Sequence, residues 1–127
     1  EGDKIVFIST GTTTYIAKQA ADILANDGID VGVVHVHTIK PLDTEKILKT
    51  IAEAQIVLTI EEHRITGGLG SALSELIAEE HEGKAIKFKR IGFPDVFTEE
   101  LGSQNEIMDK YGITVENILK ITKELLH

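Results

Sequence analysis

Cysteine and tryptophan are absent from this chain of 127 residues, and proline occurs only 2 times. Without cysteine the chain cannot form disulfides, thiolate metal sites or a thiol nucleophile. The sequence has no apolar run near the roughly 20 residues that span a bilayer. It opens on Glu1-Gly2-Asp3-Lys4, without the basic start of a signal peptide. These absences predict a cytoplasmic protein with no membrane partner.

An excess of positive charge is also absent. The chain carries 13 Lys and Arg against 21 Asp and Glu, a formal net charge of -8. A nucleic-acid surface needs a basic stripe, and the densest basic run, residues 87–90, is short and interrupted by Phe88. We therefore expect no nucleic-acid partner.

The composition that remains, 42% hydrophobic and 27% charged, is that of an ordinary globular protein. The length predicts one domain over residues 1–127, with enough chain to bury a real core. Because the chain begins with Glu1 rather than methionine, we expect a fragment of a longer polypeptide.

Short apolar runs alternate with segments of helical period. The runs lie at residues 5–8, 31–36, 56–60 and 85–91. The first is continuously apolar and the third is apolar except for Thr59, as in strands buried on both faces. In the fourth, Lys87 and Lys89 alternate with apolar residues, which indicates an exposed edge strand. Helices are predicted after Gly11, from Asp43 to Ala54, after Gly70, over 103–112 and after Thr114. The first apolar stripe includes Ile23, and the last includes Leu126.

This alternation predicts a three-layer α/β/α fold with a mostly parallel sheet and helices on both faces. The simplest strand order is 2-1-3-4. Ligands of open sheets favour the crevice at the carboxyl ends of the strands where the order reverses, here between strands 1 and 3. The loops 10–14 and 61–68 would meet there.

The second of these loops is the most concentrated polar cluster in the chain. Free N–H groups at a glycine-rich helix start can hold an anion, and Glu62 with His63 could act as an acid–base pair. The candidate anion or ligand loop comprises Thr12, Thr13, Glu62, His63, Gly67, Gly68 and Gly70. The alternative is structural: the glycines permit a tight turn, the charged groups form caps or salt bridges, and the threonines cap the first helix.

Zinc and nucleotides are two further kinds of ligand to consider. His35 and His37 lie two apart on a strand and point the same way, so they could bind zinc with Glu62 or His63. The spacing fixes no third ligand, and hydrogen-bonded packing is the alternative. The glycine spacing matches neither a Walker loop nor a dinucleotide fingerprint, so no nucleotide is expected.

Four motifs in the chain resemble one family. They are TIKPLD at 38–43, EEH at 61–63 with GGLGSA at 67–72, IGFPDVF at 91–97 and DKYGIT at 109–114. Their order and spacing, over nearly the whole chain, resemble the C-terminal domain of transketolase and its thiamine-diphosphate relatives. These relatives include deoxyxylulose-phosphate synthase and the beta subunit of the 2-oxoacid dehydrogenase decarboxylating component.

Within the family, Glu62-His63 and the ending at 110–114 look most like transketolase of the split, two-subunit type. The synthase usually lacks the histidine, and the dehydrogenase subunit usually departs from the GGLGS pattern. The resemblance also implies an extra antiparallel strand, most of which would precede Glu1.

The resemblance implies a structural role for this domain. In the family, thiamine diphosphate and Mg²⁺ lie between a pyrophosphate-binding domain with a Gly-Asp-Gly motif and a pyrimidine-binding domain with an activating glutamate. This sequence contains neither feature. The chain alone is therefore expected to bind no cofactor or metal and to carry no catalytic residue. Its expected partners are those two domains of the same enzyme, within a dimer or other homo-oligomer of the parent.

Two main hypotheses follow. The first is a non-catalytic structural and assembly domain of a transketolase-like enzyme of the pentose phosphate pathway, which transfers two-carbon ketol units between sugar phosphates. The second is a stand-alone small-ligand or anion-binding domain that uses residues 62–70. A zinc-dependent hydrolase is a third. The coding sequence before Glu1 separates the first two, because only the first predicts a pyrimidine domain there.

Overall fold

Parallel strands form a sheet in the computed structural model, which describes residues 5–11, 13–36, 43–64, 69–80, 86–93 and 112–126. The strands are β1 (Ile5–Ser9), β2 (Val31–His35), β3 (Ile56–Arg64) and β4 (Lys87–Phe93). The helices are α1 (Thr13–Asn26), α2 (Thr44–Ile51), α3 (Leu69–Glu80) and α4 (Val115–Leu125). The strand order is β2-β1-β3-β4, with every neighbouring pair parallel. The predicted fold class and order are confirmed.

Two predicted elements cannot be compared with the structure. The helix expected over residues 103–112 lies outside the described residues except for its last position, and the antiparallel strand expected at the start of the chain also lies outside them. Among the helices that are described, none is long and apolar enough to cross a membrane.

Strand β1 lies inside the sheet and is buried along its whole length. It pairs with β2 on one side, where Ile5 lies opposite Val31, and with β3 on the other, where Ile5 lies opposite Ile56. Because helices cover both faces of the sheet, both sets of alternating side chains must be apolar. This explains the uninterrupted apolar run at the start of the chain.

Alternating side chains of the strands divide the core into two layers. Phe7 and Leu58 pack with α1 and α4 on one face, whereas Ile8 and Val57 pack with α2 and α3 on the other. We call these the α1–α4 face and the α2–α3 face. Residues along one strand alternate between the two faces with a period of two, so every buried strand residue can be assigned to a layer.

Two of the predicted helix caps are present. The Asp43 carboxylate accepts a hydrogen bond from Lys46 N–H at 3.2 Å, and the Thr114 hydroxyl accepts one from Asn117 N–H at 3.1 Å. Both bonds satisfy amides that have no partner within their helix. Helix α2 ends at Ile51, so its predicted extension to Ala54 is wrong.

The edge position predicted for the fourth strand is confirmed, and one of its lysines has a defined partner. Lys87 and Lys89 are both exposed on β4. The Lys87 ammonium donates a hydrogen bond of 2.8 Å to the carbonyl of Leu125, at the last turn of α4. Carbonyls at a helix C-terminus lack helical partners and carry partial negative charge. Lys87 therefore also joins the edge strand to α4.

Two residues predicted on buried stripes are partly exposed. Ile23 is 42% exposed and Leu126 is 43% exposed. Helix α1 packs through the small side chains of Ala17 and Ala20, so Ile23 lies to one side of the contact. Leu126 follows the last residue of α4 and is not held against the sheet.

Candidate functional site

The described residues of the predicted ligand loop belong to α1, β3 and α3. The structure describes Thr13 at the start of α1 and Gly70 in the first turn of α3. It describes the backbone of Glu62 and His63, whose side chains lie outside the described set, as do Thr12, Gly67 and Gly68. The start of the β1–α1 turn lies beside β3, since the N–H of Thr10 donates to the carbonyl of Ile60 at 3.3 Å.

Glu62 and His63 do not begin a loop, which corrects the predicted strand end. Strand β3 continues from Ile60 to Arg64, and its pairing with β4 changes register between those two residues. Such an irregularity keeps the backbone extended while the ladder is locally interrupted. The sequence pattern could not show this extension, because residues 61–64 are all polar and continue no apolar alternation.

Hydroxyl groups hold the turn between β1 and α1 in place. The Thr13 hydroxyl is fully buried and donates to the carbonyl of Ile60 at 2.8 Å, with the carbonyl of Thr10 as a second acceptor. Ser9 Oγ and Thr14 Oγ1 share a hydrogen bond of 2.8 Å. The Thr13 hydroxyl therefore donates to carbonyl oxygens and does not accept hydrogen bonds from helix amides. It connects the β1–α1 turn to β3 and does not cap α1.

A buried carboxylate occupies the start of α3. Glu61 is fully buried, and its Oε2 accepts a hydrogen bond from the N–H of Gly70 at 2.7 Å. Helix N-termini favour negative charge because their first N–H groups lack helical partners. Glu61 supplies an acceptor for one such N–H group from within the chain, at the helix start that the sequence suggested for an external anion.

The neighbours of Gly70 leave little room for a side chain at that position. A Cβ added there would lie 2.6 Å from Arg90 Cδ, 2.9 Å from Arg90 Cγ and 3.0 Å from Glu61 Oε2. Carbon atoms in contact normally stay about 3.5–4.0 Å apart. Gly70 thus allows α3 to approach β3 and β4 closely, which favours the structural reading for this member of the loop.

Glu61 was predicted to begin a polar loop, whereas it is a buried residue of β3. A signal was present in the strand period. Val57, Thr59 and Glu61 occupy alternate positions of β3, so they share the α2–α3 face, where Val57 is in the core. Extending that alternation by one step predicts a buried carboxylate, which must then have a hydrogen-bonding partner.

Two further hydroxyls are buried close to this junction. Within the described part of the chain, Thr10 Oγ1 and Thr59 Oγ1 have no hydrogen-bond partner. Thr59 is two residues before Glu61 on the same face of β3. Unpaired buried hydroxyls cost free energy, so these two threonines detract from the stability of the domain.

A metal site has no support in the described ranges. No group of three or more His, Cys, Asp or Glu residues among them could hold a metal ion. His35 is exposed at the end of β2, and His37 lies outside the described residues. Nothing in this part of the chain favours the zinc-hydrolase hypothesis.

Comparison with known families decides where the chain belongs. A family model described as the C-terminal domain of transketolase matches residues 1–118. The chain belongs to the transketolase C-terminal domain family. This confirms the resemblance drawn from the motifs, and it places the domain among those of thiamine-diphosphate enzymes. The family match lends no support to a stand-alone binding domain.

Curated relatives of this transketolase C-terminal domain are much longer proteins. The chain is 38% identical over 125 residues to 1-deoxy-D-xylulose-5-phosphate synthase of Heliobacterium modesticaldum, covering 98% of the chain and 19% of the relative. It is 37% identical over 125 residues to one of the subunits of apulose-4-phosphate transketolase from Actinobacillus succinogenes, covering 98% of the chain and 40% of the relative.

Solved structures agree on the fold. A split gene transketolase, described as an inactive beta4 tetramer, superposes with a TM-score of 0.85 at 32% identity, over 99% of this chain and 40% of that one. Transketolase from Campylobacter jejuni superposes with a TM-score of 0.68 at 12% identity, over 98% of this chain and 17% of that one. The second comparison supports the fold alone.

The described residues do not fit thiamine diphosphate. The Thr13 hydroxyl and the Gly70 amide, which could contact a diphosphate, bond the Ile60 carbonyl and the Glu61 carboxylate instead. These residues therefore supply no catalytic step that involves the cofactor.

Proposed function

We propose that this chain is a non-catalytic structural and assembly domain of a transketolase-like enzyme, which transfers two-carbon ketol units between sugar phosphates. The observation that carries the proposal is the family match over residues 1–118, in a chain that spans only 19% and 40% of two of its relatives. The internal bonds of Thr13 and Glu61 support the non-catalytic part, because these groups stabilise the domain itself.

The partners we propose are the pyrimidine-binding and pyrophosphate-binding domains of the same enzyme. Those domains would hold thiamine diphosphate and Mg²⁺. The parent would be a cytoplasmic enzyme of the pentose phosphate pathway that forms a dimer or another homo-oligomer. Support comes from the relative that is named as one subunit of a transketolase and from the similar structure of a split gene transketolase. Both names describe parts of divided enzymes, and this chain covers 40% of each of those chains, so we expect a further domain on the same chain and the rest of the enzyme on another.

The test is reconstitution of the parent enzyme. The chain is expressed alone and within the full coding sequence that adjoins it, together with any neighbouring gene for a second subunit. Two-carbon transfer from a ketose phosphate to an aldose phosphate is then measured with thiamine diphosphate and Mg²⁺. We expect activity from the complete preparation and none from the chain alone. Transfer catalysed by the chain alone would overturn the assignment.

A second candidate is the same domain in a 1-deoxy-D-xylulose-5-phosphate synthase. The 38% identity to such a synthase over 125 residues favours it, whereas the Glu62-His63 pair resembles split transketolase. The same complete preparation, assayed for formation of 1-deoxy-D-xylulose 5-phosphate, separates the two. Product in that assay without ketol transfer would assign the parent to the synthases.

We further propose that inorganic phosphate binds this chain weakly, at the loop comprising Thr12, Thr13, Glu62, His63, Gly67, Gly68 and Gly70. Helices α1 and α3 follow the neighbouring parallel strands β1 and β3 along the chain, and helix starts attract anions. The buried Glu61 carboxylate opposes such binding, so we expect a dissociation constant in the millimolar range. Amide NMR titration with phosphate should shift only this loop. Shifts centred on residues 87–90 would place the site elsewhere.

A further inference from the structure

We draw no further inference here: the strongest candidate, the side-chain cluster of Thr10, Thr59 and Glu61 on the α2–α3 face of the sheet, carries nothing, because Glu61 already binds the first turn of α3 and no second observation among the described residues points to a ligand.

Discussion

Individual polar side chains connect the secondary-structure elements at the carboxyl edge of this sheet. Thr13 joins the start of α1 to the end of β3, and Glu61 joins β3 to the start of α3. Both side chains are fully buried. A buried polar group whose partner is removed costs more free energy than the bond itself contributes, so substitution at these positions should be costly.

Replacing Glu61 should destabilise the domain more when the new side chain has no acceptor oxygen for the Gly70 amide. Glu61→Ala leaves the Gly70 amide without its carboxylate and should lower the free energy of unfolding by about 2–3 kcal/mol. Glu61→Gln keeps an acceptor oxygen, so we expect it to lower the free energy of unfolding by only about 1 kcal/mol. Urea unfolding provides the measurement. The control is Glu75→Ala, at an exposed position of α3. It should change the free energy of unfolding by no more than about 0.5 kcal/mol. Equal midpoints for Glu61→Ala and the control would contradict this account.

The same substitution should have opposite effects at two buried threonines. Thr13 and Thr59 are both fully buried, but only Thr13 has acceptors, whereas Thr59 Oγ1 has none in the described part of the chain. Thr13→Val should cost about 1–2 kcal/mol through its lost hydrogen bonds. Thr59→Val should be neutral or stabilising by up to about 1 kcal/mol, because an unpaired hydroxyl is removed.

Thermal and urea unfolding of both valine variants provide this comparison. The two substitutions change volume equally, so each serves as the control for the other. If Thr59→Val were as destabilising as Thr13→Val, the Thr59 hydroxyl would have a partner in solution.

At the level of secondary-structure elements, α3 can approach the sheet closely because Gly70 has no side chain. Gly70 lies against the aliphatic part of Arg90 from β4 and the carboxylate of Glu61 from β3. The Arg90 side chain is exposed and can move aside, whereas the buried Glu61 carboxylate would have to shift by a few tenths of an ångström. Larger residues at position 70 must therefore push α3 outward or displace Glu61.

Gly70→Ala should destabilise the domain by about 1–3 kcal/mol through overpacking. Arg90→Ala alone should have a small effect, since the side chain is exposed. The double variant should recover part of the loss, and the two changes should be non-additive by more than about 0.5 kcal/mol. A double-mutant cycle of urea unfolding energies measures this coupling.

Gly28→Ala provides the control for that cycle. Gly28 has a φ of +82° and nothing within 4 Å of an added Cβ, so its substitution costs backbone strain of about 1–2 kcal/mol without a new contact. Combined with Arg90→Ala, its effect should be additive. Equal coupling of Arg90 to Gly28 and to Gly70 would show that the close approach does not explain the result.

At the scale of the whole molecule, the chain should not bind thiamine diphosphate by itself. The residues described at the carboxyl edge bond one another, and no group of metal ligands is found among them. Calorimetric titration with thiamine diphosphate and Mg²⁺ should show no saturable heat. The control is the complete parent preparation under the same conditions. Micromolar binding by the chain, corresponding to about 8 kcal/mol, would disprove the prediction.

Much of the fold follows from local sequence patterns. The apolar run at residues 5–8 predicted a strand covered on both faces, and Lys87 and Lys89 predicted an edge strand. Asp43 and Thr114 predicted two helix starts. Each of these features depends on residues a few positions apart, so the physical cause lies within one segment. The order 2-1-3-4 followed from connecting such segments by the simplest crossovers.

The candidate site was predicted less well, because its contacts join distant segments. The Thr13 hydroxyl donates a hydrogen bond to the carbonyl of Ile60, 47 residues away. The Arg90 side chain of β4 lies close to Gly70 of α3. The strand period predicts a buried Glu61 only if β3 continues beyond Ile60, and the polar residues 61–64 gave no sign of that extension.

The order of strands and helices, the apolar faces and the motifs that identify the family follow from the amino-acid sequence alone. The burial of Glu61 at the start of α3, the bond from Thr13 to the carbonyl of Ile60 and the partial exposure of Ile23 are visible only once the segments have packed together. The physical reason is that periodicity and capping are properties of one segment. Burial and hydrogen bonding of a polar side chain depend on which other segment packs against it.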